Sequence, residues 1–430
     1  MKIVKLLTLA AVASTVHVSA FAQDPTLIKW ADSVGMIPPV VNTQPDKKYN
    51  AKNLDYGMTI GIERTPGGRI WACWVGGGDN ADAFFVLAWS DNDGEKWSNT
   101  KVVIDPHQPG DLLKRRTLVG QLWSDPKGRL WLFFDHALTY YDGRSGGWCT
   151  VCENPDSANP EWSAPRYIGF GCTLQKPMAA STGEYVLPVS LWVRNRQDIA
   201  LEKGWTENPL KGAYPELDPL RGAHVFVSSD EGATWERRGM VRFPQPSFDE
   251  HLFIEKSDGT WWMTGRTGLG IYQSFSTDRG FTWTKPELYQ PHVNSRHFIK
   301  RLASGNLLLV RHGMPDTKTK SRSSLRAFIS DDEGQTWIGN LLIDSRTGIS
   351  YPTGFQTQDG YIYISYDYQR TAEGDVLMAR FNETDILSKK IVSPRGKLKM
   401  TISKPGKVKK SAANIEARAQ AAASKKQKTQ

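Results

Sequence analysis

The chain has 430 residues, with 54 Lys and Arg against 45 Asp and Glu and a formal net charge of +9. Eleven of those bases and a single acid, Glu416, fall from residue 391 on, which leaves 43 bases against 44 acids before it. The body therefore has no excess of base with which to track a phosphate backbone, and nucleic acid is excluded as its partner.

Taken in chain order, the first 22 residues read as a signal peptide. Lys2 and Lys5 make a basic start, Leu6 to Val18 is mostly apolar, and Ala20-Phe21-Ala22 forms a small-x-small cleavage site before Gln23. The mature protein is expected to be exported, periplasmic or extracellular. No later segment approaches the roughly 20 apolar residues of a membrane helix. In an exported protein the four cysteines, Cys73, Cys149, Cys152 and Cys172, permit two disulfides in three pairings, and the sequence does not choose among them. Cys149-x-x-Cys152 has the spacing of half a zinc site, but no second half follows, so no metal is expected.

Between Asn50 and Leu387 helical periodicity is scarce, and short strands rich in aromatic and β-branched residues alternate with Gly, Asp, Asn and Pro. A turn ending in Gly and followed by an apolar strand occurs six times, at Gly68, Gly128, Gly183, Gly259, Gly305 and Gly360. In phase with these turns lies an eight-residue box, S-x-D-x-G-x-T-W. It runs Ser228 to Trp235, Ser276 to Trp283 and Ser330 to Trp337, with a looser copy from Ser90 to Trp97 and a degenerate one around Trp162. The Ser and Asp can bond local backbone groups, the Gly accepts a positive φ, and the Trp covers the hairpin, so each box is a folding element outside the chemistry. A hairpin repeated at this period fits four-stranded blades better than a two-sheet sandwich. The expected architecture is all-β, a six-bladed β-propeller over residues 50–390 acting as a monomer. Residues 391–430, rich in Lys, Ala, Ser and Gln with Pro394 and Pro405, are expected to form a basic, disordered tail. No Gly-rich phosphate fingerprint opens a helix, so no cofactor is expected.

Boxes of this form on six blades resemble the sialidase (neuraminidase) superfamily across most of residues 50 to 390. Tyr351-Pro352-Thr353-Gly354-Phe355, ahead of Asp359-Gly360 and Ile364-Ser365-Tyr366-Asp367, is similar to the segment that carries the family's nucleophilic Tyr and a supporting acid. The resemblance thus implies Tyr351 as nucleophile and Asp367 as its support. Phe248-Asp249-Glu250-His251, followed by Met263-Thr264-Gly265-Arg266, is similar to the segment with the catalytic Glu and a carboxylate-binding Arg, which gives Glu250 and Arg266 those roles. Arg322, just before the box at Ser330, matches the next substrate-binding Arg. Asp79, in a Gly-rich loop eleven residues before Ser90, matches the acid/base Asp, with Asp82 as the alternative. The family's first arginine falls here on Met58, and Arg64 and Arg69 are the nearest guanidiniums in sequence.

The implied chemistry is exo-cleavage of a terminal acidic sugar from a glycan. A substrate with a carboxylate at the reacting carbon repels a carboxylate nucleophile, so a neutral Tyr helped by Glu250 is the better attacker. Asp79 protonates the departing oxygen, while Arg266 and Arg322 hold the anionic substrate. Two other readings of the same propeller remain open. One is a hydrolase or lyase of uronate- or rhamnose-containing polysaccharide, for which His107, Arg115, Arg116, His136, His251 and His312 offer further groups. The other is a glycan-binding propeller without catalysis.

Overall fold

The computed structural model describes residues 24–408, so the segment expected to be a signal peptide lies outside the described residues, as does the chain from residue 409. It forms a six-bladed β-propeller in which every blade is an antiparallel sheet taken in chain order. The first blade comprises Met58–Arg64, Ile70–Gly76, Phe84–Ser90 and Val102–Ile104; the sixth comprises Ile349–Gln356, Ile362–Tyr368, Asp375–Phe381 and Lys397–Ser403. In the second blade the innermost strand is broken into Arg115–Arg116 and Gly120–Ser124, both paired with Leu130–Leu138.

Alternation along one strand shows why the blades stack. On Ile70–Gly76 the side chains of Ile70, Ala72 and Trp74 pack with Tyr363 and Met378 of the sixth blade. Trp71, Cys73 and Val75 turn the other way, onto Leu122 and Leu132 of the second. Strands covered on both faces read as continuous apolar runs, and each large side chain removed from water contributes about 1.5–3 kcal/mol. The ring closes between first and sixth blades, where Thr59 Oγ1 donates to Ser365 Oγ at 3.2 Å.

The boxes fold as their residues require. In the four closest copies the Gly N–H donates to the Ser Oγ at 2.7 to 2.9 Å, and that hydroxyl donates to the Asp or Asn side chain over the same range. In the second blade Asn154 Oδ1 accepts from Glu161 N at 2.9 Å, and Trp162 packs edge-on against Trp71.

The structure corrects or adds to the sequence reading at three points. The last blade takes its outer strand, Lys397–Ser403, from beyond the residue-390 boundary. Met400 and Ile402 pack against Val376 and Met378, apolar alternation inside a basic stretch that composition alone conceals. An N-terminal helix, Pro25–Gly35, precedes the propeller; Asp24 caps it, and Leu27, Ala31 and Val34 bury against Leu138 and Leu210. Finally, all four cysteines are free and buried. Cys149 and Cys152 lie three apart on one strand, so they point to opposite faces and enter different cores. Burial pushes every thiol up, Cys149 and Cys152 to about 11. Among the described residues no cluster suits a metal ion, and no helix is long and apolar enough to cross a membrane.

Candidate functional site

Antiparallel order gives the propeller two chemically different ends. The Gly turns join first to second strands and the boxes join third to fourth, so both sit at one end. At the other end lie the loops from second to third strands and the crossings between blades, and all six expected site residues fall there. Asp79 follows the second strand of the first blade, and Glu250 starts the inner strand of the fourth, Pro246–Glu255. Arg266 is near the end of Trp261–Thr267 in that blade, Arg322 precedes Ser323–Ser330 of the fifth, and Tyr351 and Asp367 belong to the sixth.

Local irregularity aims these side chains. Asp249, Glu250 and Tyr351 have φ of 58°, 45° and 58°, left-handed values that cost a non-Gly residue on the order of 1 kcal/mol or more. The pairing register breaks on both sides of Asp249 and again between Ser350 and Thr353. Such bulges re-aim side chains, here toward the propeller axis. Asp79 depends on Gly77, whose φ is 82° and where a Cβ would strike the Asp82 carbonyl.

Glu250 is 1% exposed. Arg266 Nη1 donates to its Oε2 at 3.0 Å, and Arg296 Nη2 lies 3.6 Å from its Oε1, which has no hydrogen-bond partner. Burial pushes this carboxyl up, but Arg266 and Arg296 outweigh it and hold Glu250 below the usual carboxylate range. The ring of Tyr351 is faced by three guanidiniums: Arg296 and Arg370 each 4.2 Å from its centroid, and Arg322 at 5.7 Å. Arg266 also interacts with Tyr351. Asn294 ties two of these arginines together, its side chain accepting from Arg266 Nε at 2.7 Å and its backbone carbonyl from Arg322 Nη2 at 3.0 Å. Arg322 Nη1 donates to Ser350 Oγ at 3.0 Å, beside Tyr351.

Beside Met58, where the resemblance put the family's first arginine, lies a guanidinium from another blade. Arg370, in the loop after Ile362–Tyr368, sets Nη1 2.8 Å from Met58 Sδ. The same guanidinium faces both oxygens of Asp367 at 3.3 Å and Asp79 Oδ2 at 3.4 Å. Burial alone would lower its pKa, yet Asp367 and the neighbouring Tyr351, Tyr56 and Asp79 raise it well above the ordinary value. Asp367 is pushed up to about 6 because burial outweighs Arg370 and Arg322. Arg64 and Arg69, the nearest guanidiniums in sequence, instead pair with Asp93 and Asp91 at the box end, each at 2.7 Å. The alternative acid Asp82 pairs with Lys114 at 2.7 Å, outside this cluster.

Of the groups named for the alternative chemistry, His107 pairs with Asp105, Arg115 with Asp111 and Arg116 with Asp135. His251 bonds the His224 carbonyl. Sequence reasoning missed Arg370, Arg296, Asn294 and two tyrosines, Tyr56 and Tyr140, whose hydroxyls interact with Asp79 and Tyr351. A usable signal existed for Arg370, three residues after an acid that ends a strand. Arg296 stands two residues before the inner strand of the fifth blade, Phe298–Arg301, much as Glu250 and Tyr351 lie near the starts of the inner strands of the fourth and sixth. Four guanidiniums against Glu250, Asp367 and Asp79 leave the centre short of negative charge, so the arrangement suits an anionic ligand.

This fold defines a sialidase-like BNR β-propeller. The chain belongs to the BNR repeat-like domain family, whose model matches residues 68–364. Among solved structures it is similar to a Hadza microbial sialidase, with a TM-score of 0.55 and 15% identity over 74% of this chain and 64% of that one. It is also similar to the intramolecular trans-sialidase of Ruminococcus gnavus in complex with oseltamivir carboxylate, with a TM-score of 0.57, 13% identity, and coverage of 82% and 99%. A Dyadobacter fermentans protein of unknown function matches at 0.52 and 14%, over 78% and 94%. At these identities the likeness establishes the fold alone. No curated protein matches the chain.

Proposed function

We propose that the protein is an exported exo-glycosidase that hydrolyses a terminal acidic, sialic-acid-like sugar from glycans through Tyr351. One observation carries this reading: the guanidinium of Arg370 lies against Met58 and joins Arg266 and Arg322 around Tyr351, so three arginines from three positions face one tyrosine. Three such groups offer a substrate carboxylate paired, charge-assisted hydrogen bonds. Cleavage builds oxocarbenium character at a carbon that already bears that carboxylate, and a phenol attacks it without adding a second negative charge beforehand. Glu250, kept ionised by its arginines, is the base for the Tyr351 proton. Asp79, 38% exposed on its Gly-rich loop, protonates the leaving oxygen and then activates water. Asp367 holds Arg370 in place.

The test is release of free acidic sugar from a panel of sialosides and other acidic glycans by purified protein lacking residues 1–22. Release that is lost in Tyr351→Phe supports the reading; no release from any member sinks it. The same arginines would also neutralise a uronate carboxylate, the reading in which the propeller acts as a lyase. Elimination leaves an unsaturated product, so cleavage accompanied by new ultraviolet absorbance would favour that branch. Glycan binding with no turnover in either wild type or Tyr351→Phe would favour a lectin.

A further inference from the structure

The loop between the second and third strands of the third blade is long, running from Trp192 to Arg221 with short 3-10 turns at Arg194–Asp198 and Pro215–Leu220. It rises at the same end as the candidate site. Its charges are largely settled internally: Arg194 and Arg221 share Asp218, each at 2.7 Å, and Lys211 pairs with Asp198 at 2.9 Å. Arg196 is the exception. Among the described residues no carboxylate lies within ion-pair distance of it; Nη2 donates to the Pro246 carbonyl at 2.9 Å, and Nε is buried without a partner.

Its position connects this unpaired charge to the site. The Arg196 guanidinium lies 4.8 Å from the centre of the Phe248 ring, and the Arg266 guanidinium lies 5.4 Å from the same ring. Phe248 thus lies between an arginine of the candidate site and an arginine of the insertion. Trp192 meets it edge-on at 5.0 Å, and Tyr140, which interacts with Asp79 and Tyr351, also interacts with Arg196. Burial holds Arg196 below the usual guanidinium value and Arg266 adds to that effect, while Tyr140 and the more distant Asp249 oppose it without cancelling it. A half-buried cation with a free donor is costly unless an anion completes it.

We propose that Arg196 and Phe248 form a second, anionic subsite beside the Tyr351 centre, which receives a negatively charged group on the sugar residue next to the one being cleaved. This rests on the glycosidase reading above. The shared chemistry is an oxyanion carried by a sugar: the sugar lies beside Phe248, and the oxyanion accepts from Arg196 Nη1. A sulfate ester and the carboxylate of a second acidic sugar are the two sources.

The experiment compares three substrates: sialyllactose, the same trisaccharide bearing a sulfate ester on its galactose, and an α2,8-linked disialyl-lactose. Wild type is expected to show a kcat/KM about tenfold to hundredfold higher for whichever doubly charged substrate fits, the worth of one charge-assisted contact. Arg196→Gln is expected to bring that ratio close to one, and Arg196→Lys, which keeps the charge, to retain part of it. A preference for the sulfated substrate alone identifies a sulfate site, and a preference for the disialyl substrate alone a carboxylate site. No preference in wild type, or a preference that survives Arg196→Gln, overturns the subsite. Should wild type cleave none of the three, the glycosidase reading fails, and the subsite is then decided by calorimetric binding of the same ligands. There, tighter binding of a doubly charged ligand that disappears in Arg196→Gln upholds it, and equal binding overturns it.

Discussion

Replacing Arg370 with Met tests the relocated arginine directly. In wild type its fork faces both oxygens of Asp367 at 3.3 Å and reaches Asp79 at 3.4 Å. Removing it deprives a substrate carboxylate of one charge-assisted donor, worth about 1.5–3 kcal/mol, or roughly a tenfold to hundredfold loss in kcat/KM. The carboxylate keeps its charge throughout the reaction, so most of the loss should appear in KM rather than kcat. Asp367, already at about 6 with Arg370 present, would lose its principal counter-ion and protonate closer to neutral pH. Initial rates on a fluorogenic sialoside between pH 5 and 8 measure both effects. Arg370→Lys keeps the charge without the fork and should fall between the two. Adding Met58→Arg to Arg370→Met returns a guanidinium from the opposite wall and is expected to restore part of the lost affinity. A kcat/KM within about threefold of wild type for Arg370→Met would refute the reasoning, because exchange with water normally leaves a charged contact worth more than that.

Asp249 is buried, takes one short bond from Ser190 at 2.5 Å, and is pushed up to about 6 by burial first of all. Its folded pKa exceeds its unfolded value, so its contribution to stability is present below about pH 4 and is lost as pH rises through about 6. Asp249→Asn should therefore stabilise the fold more at pH 7.5 than at pH 4, by up to about 3 kcal/mol, in urea unfolding at the two pH values; equal effects would contradict this. Arg296→Met should destabilise the protein far less in a Glu250→Gln background than in wild type, with a coupling of about 1–3 kcal/mol, whereas additive effects would show that Arg296 does not act through Glu250. A chromogenic thiol reagent should find none of the four cysteines in native protein and all four after denaturation; none after denaturation would mean disulfides.

The sequence carried the blade phase because turns are local chemistry. Gly334 and Asp332 declare a box wherever they fall, and six Gly turns count six blades. The choice of Glu250, Arg266, Arg322 and Tyr351 rested instead on the resemblance of their segments to the sialidase superfamily, and the strand order brings all four to one end of the propeller. Arg296 was not legible, because Glu250 and Tyr351 come from the neighbouring blades; Arg370 had a local signal in Asp367, but its contact with Met58 across 312 residues is encoded by no local pattern. The outer strand Lys397–Ser403 was hidden by composition, since an edge strand needs apolar residues on one face only and lysines fill the other. The free thiols escaped notice because cysteine count and compartment say nothing about which face of a strand a side chain takes.

The central claim, Tyr351 as nucleophile for an acidic glycoside, is tested most directly by trapping the glycosyl-enzyme. An acidic sugar carrying fluorine next to the reacting carbon and fluoride as leaving group slows breakdown of a covalent intermediate more than its formation. The account predicts a mass increase equal to one glycosyl unit on intact protein, located by peptide mapping on Tyr351 and absent from Tyr351→Phe. Turnover of a natural sialoside with no adduct on Tyr351, or an adduct carried by another residue, would contradict it.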